Sequence, residues 1–218
     1  LVARAAERRQ ERRRREAQAR RCWDDAMPIG GTPAETYLRG RAIACALPAT
    51  LRFHPACWHG PSARRLPAMV ARVDGAEGFA VHRTYLRADG GGKAGVEAAK
   101  AMLGATRGGA VRLSGGALRL SVAEGIETGL SLLSGLLCGP ASVWAGLSAA
   151  GMATLRLPRR PGRLTVAPDG DAAGARAARE LAERAQARGW RVDLLTPPEG
   201  HDWNDILRKG ADHDRARA

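Results

Sequence analysis

Apolar positions recur along this chain with different periods, and the changes between them divide it. Residues 3–26 are mostly Ala, Arg, Glu and Gln, with Glu11 and Arg15, and Glu16 and Arg20, set as i,i+4 pairs. A helical stretch without an apolar stripe is predicted to be solvated, so 1–27 reads as a basic helical linker rather than a core element. Pro28, Gly30, Gly31 and Pro33 then mark the start of a folded region. Within 28–114 the pattern predicts a short helix through 34–38 and strands around 51–54, 68–73 and 79–86. The 88–92 turn, Ala-Asp-Gly-Gly-Gly, leads from the last of these to Lys93. One more short strand falls near 111–113, between Gly108-Gly109 and Gly115-Gly116. This is the pattern of a small α+β subdomain.

From residue 117 the period changes. Leu118, Leu120 and Val122 alternate as in a strand, and Ile126, Leu130, Leu133 and Leu137 follow at helical spacing. Strands at 142–147, 163–167 and 190–195 then alternate with helices at 149–155 and 172–188. The second of these helices carries an inner stripe of Ala173, Ala177, Leu181 and Ala185, with Arg176, Arg179, Arg184 and Arg188 outside. Such alternation predicts an α/β domain over 115–210, with a mainly parallel sheet and helices on both faces. Residues 211–218 are left as a tail.

Charge narrows the function. The 218-residue chain has a net charge of +13. Residues 1–26 hold nine arginines against five acids, and the rest still carries 26 basic against 17 acidic residues, so the excess is not confined to one end. A basic surface recruits polyanions. No apolar run approaches the roughly 20 residues needed to span a bilayer, and no apolar core follows the Arg-rich start as it would in a secretory signal. The chain opens on Leu1 rather than Met, which points to a piece of something longer. Cys22, Cys45, Cys57 and Cys138 are scattered without a CxxC pair, so neither a disulfide framework nor a zinc ribbon is predicted. His54, Cys57 and His59 fall close together but lack a fourth ligand at a sensible spacing. A reducing cytoplasm fits best.

In this basic chain, carboxylates at strand ends stand out. Glu124 follows one apolar strand, and Asp169-Gly170-Asp171 follows another. Ligands of open parallel sheets bind beyond the carboxyl ends of the strands. Asp169 and Asp171, as residues i and i+2 of an extended segment, project to one side, and Glu124 joins them if its strand is a neighbour. Oxygen donors of this kind suit a hard divalent ion. Asp171 also reads as a helix N-cap, and Glu127 as a first-turn acid favoured by the helix dipole.

The run VAEGIETGLSLL, then VWAGLSAAGM, then LTVAPDGDAAGARAARELAERA, then HDWNDIL resembles a Toprim domain over about residues 117–210, most closely the primase-like branch found in phages, plasmids and other mobile elements. The resemblance implies Mg2+, with Mn2+ as a substitute, held by Glu124, Asp169 and Asp171, and it gives Glu124 an acid/base or metal role. The later acidic motif would fall at Asp202, Asn204 and Asp205, with Asp205 a further metal candidate and Asp202 and Asn204 nucleotide-side candidates. Asp202 is equally a good N-cap, with Asp205 in the box-partner position. Residues 78–113 look like the segment that precedes Toprim in bacterial-type primases, and they bring in Arg83, Lys93 and Lys100 as groups holding template or incoming nucleotide, Lys100 also as a catalytic candidate. Toprim topoisomerases need a tyrosine nucleophile, and neither Tyr37 nor Tyr85 stands in such a context. What the resemblance implies is primer synthesis from nucleoside triphosphates on single-stranded DNA, alongside a helicase or an upstream zinc-binding domain. The alternatives are a Toprim nuclease and a non-catalytic nucleic-acid-binding module.

Overall fold

In the computed structural model, residues 2–215 are described, with the side chains of 4–211. Two units are resolved by their internal contacts. One comprises the chain up to Tyr37 together with Ala49–Arg107, and the other comprises Leu38–Pro48 together with the chain from Gly108 onward.

The first unit begins with α1 (Val2–Asp24), whose arginines lie exposed along most of its length. Its end is not solvated. Ala19 and Trp23, with Ala26 just beyond, are buried against Val70 and Val81, and Cys22 joins them. These positions recur at three- and four-residue steps, a helical stripe made mostly of small side chains and hidden among arginines. The expectation of a wholly solvated helix is corrected there. Arg52 reinforces the docking, its guanidinium 4.3 Å over the Trp23 ring and donating to the Trp23 carbonyl at 3.1 Å.

The sheet beneath is antiparallel throughout, with β1 (Met27–Pro28), β2 (Leu51–His59), β3 (Arg64–Val73), β4 (Ala80–Tyr85) and β5 (Lys100–Gly104) in that spatial order. The register of β2 against β3 shifts between His54 and Cys57. The strand β5 was not anticipated from the sequence, because Lys-Ala-Met-Leu-Gly offers too short an alternation to signal one. A helix α2 (Pro33–Arg39) follows β1.

In the second unit the sheet order is β10 (Arg191–Leu194), β9 (Arg163–Ala167), β7 (Arg119–Ala123), β8 (Ser142–Ala145), β6 (Val111–Arg112). All pairs are parallel except β6 with β8. Leu120, Val122, Leu164 and Val166 face a core built by Met152 and Leu155 with Ala177 and Leu181. These come from α4 (Ala149–Ala153) and its exit and from α5 (Ala172–Gln186). On the other face Ala123 and Ala167 meet Leu132 and Trp203, which belong to α3 (Ile126–Ser131) with its exit and to α6 (Trp203–Arg215). The sheet is therefore mainly parallel and covered on both faces, as the alternation of elements requires.

The predicted α3 stripe through Leu133 and Leu137 does not continue as α-helix. The chain passes into a π-helical turn, Leu132–Leu136, where Gly135 adopts φ 127°, a conformation open to glycine and not to leucine.

Candidate metal and active site

Strand register creates the site. β7 and β9 are neighbours with Ala123 opposite Ala167, so Glu124 and Pro168-Asp169 leave the sheet side by side. The Asp169 N–H lies 3.5 Å from Glu124 Oε2. Thr128, in the first turn of α3, donates from Oγ1 to Asp169 Oδ1 at 2.8 Å. Asp171 caps α5, its side chain accepting from the Gly174 N–H at 2.7 Å, and it remains exposed. A third strand contributes through the loop after β8. There Leu147 sits at φ 75°, a strained conformation for a side chain of its size, just before the N-cap Ser148, and the Ala149 N–H that follows hydrogen-bonds Glu124.

Glycines set the spacing. A Cβ at Gly174 would stand 2.8 Å from both Glu124 Oε2 and the Asp169 carbonyl, so the amino end of α5 approaches the two acids as closely as it does only because the side chain is missing. Gly170 is fastened to the turn before α6, donating to the His201 carbonyl at 3.1 Å and accepting from the Gly200 N–H at 3.1 Å. Trp203 Nε1 donates to the Pro168 carbonyl at 3.1 Å from below.

The Glu124 carboxyl is held above the usual glutamate range. Its burial is the main cause, and the neighbouring charges of Asp169 and Asp171 add to it. The Asp169 and Ala149 N–H groups pull the other way. A cation placed among these acids would relieve both the desolvation and the repulsion. Among the described residues no three acidic, histidine or cysteine side chains close into a cage around one point. The donor set here is carboxylate oxygen, with Glu124 and Asp169 half-buried and Asp171 exposed. Mg2+ suits such a set, because it keeps several waters and is commonly held by one or two carboxylates together with substrate phosphates.

The later acidic motif forms the helix cap that its sequence also allows. Asp202 Oδ1 accepts from the Asp205 N–H at 2.8 Å, and the Asp202 N–H lies 3.3 Å from Asp205 Oδ2, a reciprocal capping box at the start of α6. Asn204 is fully buried, donating to the Arg41 carbonyl at 2.8 Å and to Ser131 Oγ at 2.9 Å. A direct nucleotide contact by Asn204 is therefore corrected to a structural one, since its amide lies inside the unit.

The basic candidates belong to the first unit. Arg83 pairs across β4 and β5 with Ala101, and Lys100 with Thr84, so the two side chains leave opposite faces of the sheet. Arg83 takes the face covered by α1 and donates to the Trp58 carbonyl at 3.1 Å. Lys100 and Lys93 are exposed, Lys93 in a bridge opposite Leu86. Cys57 and His59 do not share a centre with His54. Cys57 meets Cys22, and His59 stacks edge-on against Tyr85 at 4.6 Å and bonds Ser62.

Sequence reasoning missed Thr128, Gly174 and the strained loop at Leu147. Glu124 precedes Gly125, the extended N-cap of α3, so no helical spacing ties it to Thr128, and the partner of Thr128 is the distant Asp169.

The structure is an open α/β sheet with acids clustered beyond the carboxyl ends of adjacent parallel strands, where ligands of such sheets bind. Residues 119–212 match the Toprim domain family, and this part of the chain is a Toprim domain. Residues 13–113 match a family described as a domain of unknown function, DUF7146. No curated protein sequence matches the chain. Among solved structures, it is similar to the zinc-binding and RNA polymerase domains of the Aquifex aeolicus primase, at 15 % identity and TM-score 0.42, covering 69 % of this chain and 39 % of that one. A second is the primase fragment of the bacteriophage T7 primase-helicase, at 16 % identity and TM-score 0.41, covering 69 % and 65 %. A third is a T7 complex of lagging-strand DNA polymerase with primase domains bound to an RNA/DNA hybrid and dTTP, at 15 % identity and TM-score 0.47, covering 88 % and 89 %. The chain thus spans about two-fifths and about two-thirds of the first two. No helix among the described residues is long and apolar enough to cross a membrane.

Proposed function

We propose that this chain is the catalytic core of a primase-type nucleotidyltransferase, making short RNA primers on single-stranded DNA during replication of a mobile element in the cytoplasm. The observation that carries this reading is the convergence of Glu124 and Asp169 from adjacent parallel strands within a Toprim domain. Glu124, Asp169 and Asp171 are the residues that would hold Mg2+, or Mn2+ in its place. When bound there, the ion supplies charge stabilisation for phosphoryl transfer. The chain's own groups do the rest. Thr128 fixes the rotamer of Asp169, the Gly170 loop is held by the turn before α6, and Glu124, beside the Asp169 N–H, is the group assigned to acid/base work on an attacking hydroxyl where it does not hold the ion. Lys93 and Lys100 are the exposed basic groups assigned to template or triphosphate. A helicase and a zinc-binding domain are the partners this reading calls for.

Incorporation of labelled ribonucleotides on single-stranded templates, with Mg2+, with Mn2+ and with chelator, tests it. Metal-dependent short products are expected, and Asp169→Ala and Glu124→Ala should each lower them by about a hundredfold or more, as removal of a group acting on developing charge does. Shortened template in place of primers would make the protein a nuclease. DNA binding without either product would make it a binding module. Product at wild-type level from both variants would sink the metal-site assignment.

A further inference from the structure

One pair of reactive groups lies outside the carboxylate site. Cys22, in the last turn of α1, and Cys57, just past the register shift of β2, bring their Sγ atoms to 3.6 Å. Both are reduced thiols, Cys57 buried and Cys22 half-buried. Arg83 and Tyr85, neighbours on β4, border the pair, and both donate to the Trp58 carbonyl next to Cys57. Burial alone would raise both thiols. For Cys57 the S–H···S bond from Cys22 outweighs that, with help from the Arg83 guanidinium, and brings its pKa down to about 7. Cys22 is pushed up, chiefly because it donates that hydrogen bond. A thiolate on Cys57 is the one that both the Cys22 thiol, 3.6 Å away, and the neighbouring Arg83 guanidinium stabilise.

We propose that Cys22 and Cys57 form an oxidisable dithiol site whose substrate is hydrogen peroxide, with Cys57 as the attacking sulfur and Cys22 as the resolving one. The Cys57 thiolate attacks one peroxide oxygen, the O–O bond breaks, and Cys57 becomes a sulfenic acid while hydroxide leaves. The hydroxide takes the Cys22 proton. Cys22 sulfur then attacks Cys57 sulfur, the S–O bond breaks, and the second oxygen leaves as water once protonated from solvent. In sum, two thiols and one peroxide give one disulfide and two waters. The sulfurs must close from 3.6 Å to a bond of about 2 Å. The irregular register of β2 and the end of α1 supply the slack, as neither cysteine sits in the middle of a regular element. The burial of Cys57 favours a molecule as small as peroxide over a bulky disulfide. The cross-link would span 35 residues and fasten the arginine-rich helix to its sheet.

The test uses the full chain with Cys45→Ser and Cys138→Ser, so that only this pair reacts. Peroxide should remove two hydrogen atoms per chain by intact mass, yield a Cys22–Cys57 linked peptide, and be reversed by dithiothreitol. The rate should rise with pH through about 7. In Cys22→Ser, Cys57 should stop at the sulfenic acid, captured by dimedone. In Cys57→Ser, Cys22 should react at least about tenfold more slowly, lacking the stabilised thiolate. Circular dichroism checks that each variant is folded. An unmodified pair in the folded chain, or Cys22 in Cys57→Ser reacting as fast as Cys57 in Cys22→Ser, overturns the proposal.

Discussion

Glu124 holds its position against its own chemistry. A half-buried carboxylate beside Asp169 is costly when ionised, so its charge weakens the fold wherever no cation sits with it. The folded-state pKa lies above the unfolded one. The Glu124 contribution is therefore favourable below the unfolded value and is lost as pH rises through the raised value. Glu124→Gln removes that penalty. In chelator, the variant should melt at a higher temperature than wild type near neutral pH, and the gap should close as pH falls below the ordinary glutamate range. Thermal scans between about pH 4 and 8 read this directly. A variant less stable than wild type at neutral pH would mean that the Asp169 and Ala149 N–H bonds to Glu124 outweigh the repulsion. Adding Mg2+ should raise the melting point of wild type, as a ligand of the native state does, and should do so less in Asp169→Asn. The acids themselves were legible in the sequence, since residue type and strand-end placement are local. Thr128 and the burial of Asn204 were not, because both depend on what the fold brings from far along the chain, Asp169 in one case and the Arg41 carbonyl in the other.

Among the elements, α5 governs the site through its first turn. Its cap, Asp171, belongs to the acidic motif, and its third residue, Gly174, lets the helix end touch both other acids. Gly174→Ala should therefore act as an overpacking change at the centre of the site. Its stability cost should be about 1–3 kcal/mol, and primer synthesis should fall by far more than that, because Glu124 and the Asp169 backbone are what must move. Urea unfolding and the ribonucleotide assay measure the two effects. Loss of activity in proportion to the folded fraction alone would show that the helix shifts without disturbing the acids. Intrinsic helix propensity points the other way, since alanine is the better helix former, so the sign of the stability change is itself informative. Element type was readable wherever the apolar period was strong, as in β7, β9 and α5. It failed where the signal was short or diluted. The strand β5 is five residues with a lysine and a glycine at its ends, and the buried stripe at the end of α1 is spread among arginines. The break at Gly135 needed a backbone angle that no apolar period encodes.

For the whole molecule, charge and chemistry are separable. The net charge of +13 draws a polyanion over a distance, while the acidic cluster repels it until a cation intervenes. Binding of single-stranded DNA in chelator should therefore be governed by arginines and lysines and weaken steeply with salt. A surface that neutralises about five phosphates gives a slope near −3.5 in log affinity against log salt, so a fourfold rise in salt costs about a hundredfold. Asp169→Asn removes one repulsive charge without adding a phosphate contact. It should tighten binding slightly in chelator and leave the slope unchanged, while primer synthesis is lost. Lys93→Ala and Lys100→Ala should each lower the slope by about 0.7 if each meets a phosphate. Fluorescence anisotropy with a labelled oligothymidylate across a salt series distinguishes these outcomes. A slope unchanged in both lysine variants would move the template path away from β5 and the 88–92 turn, and would leave the remaining arginines to carry it.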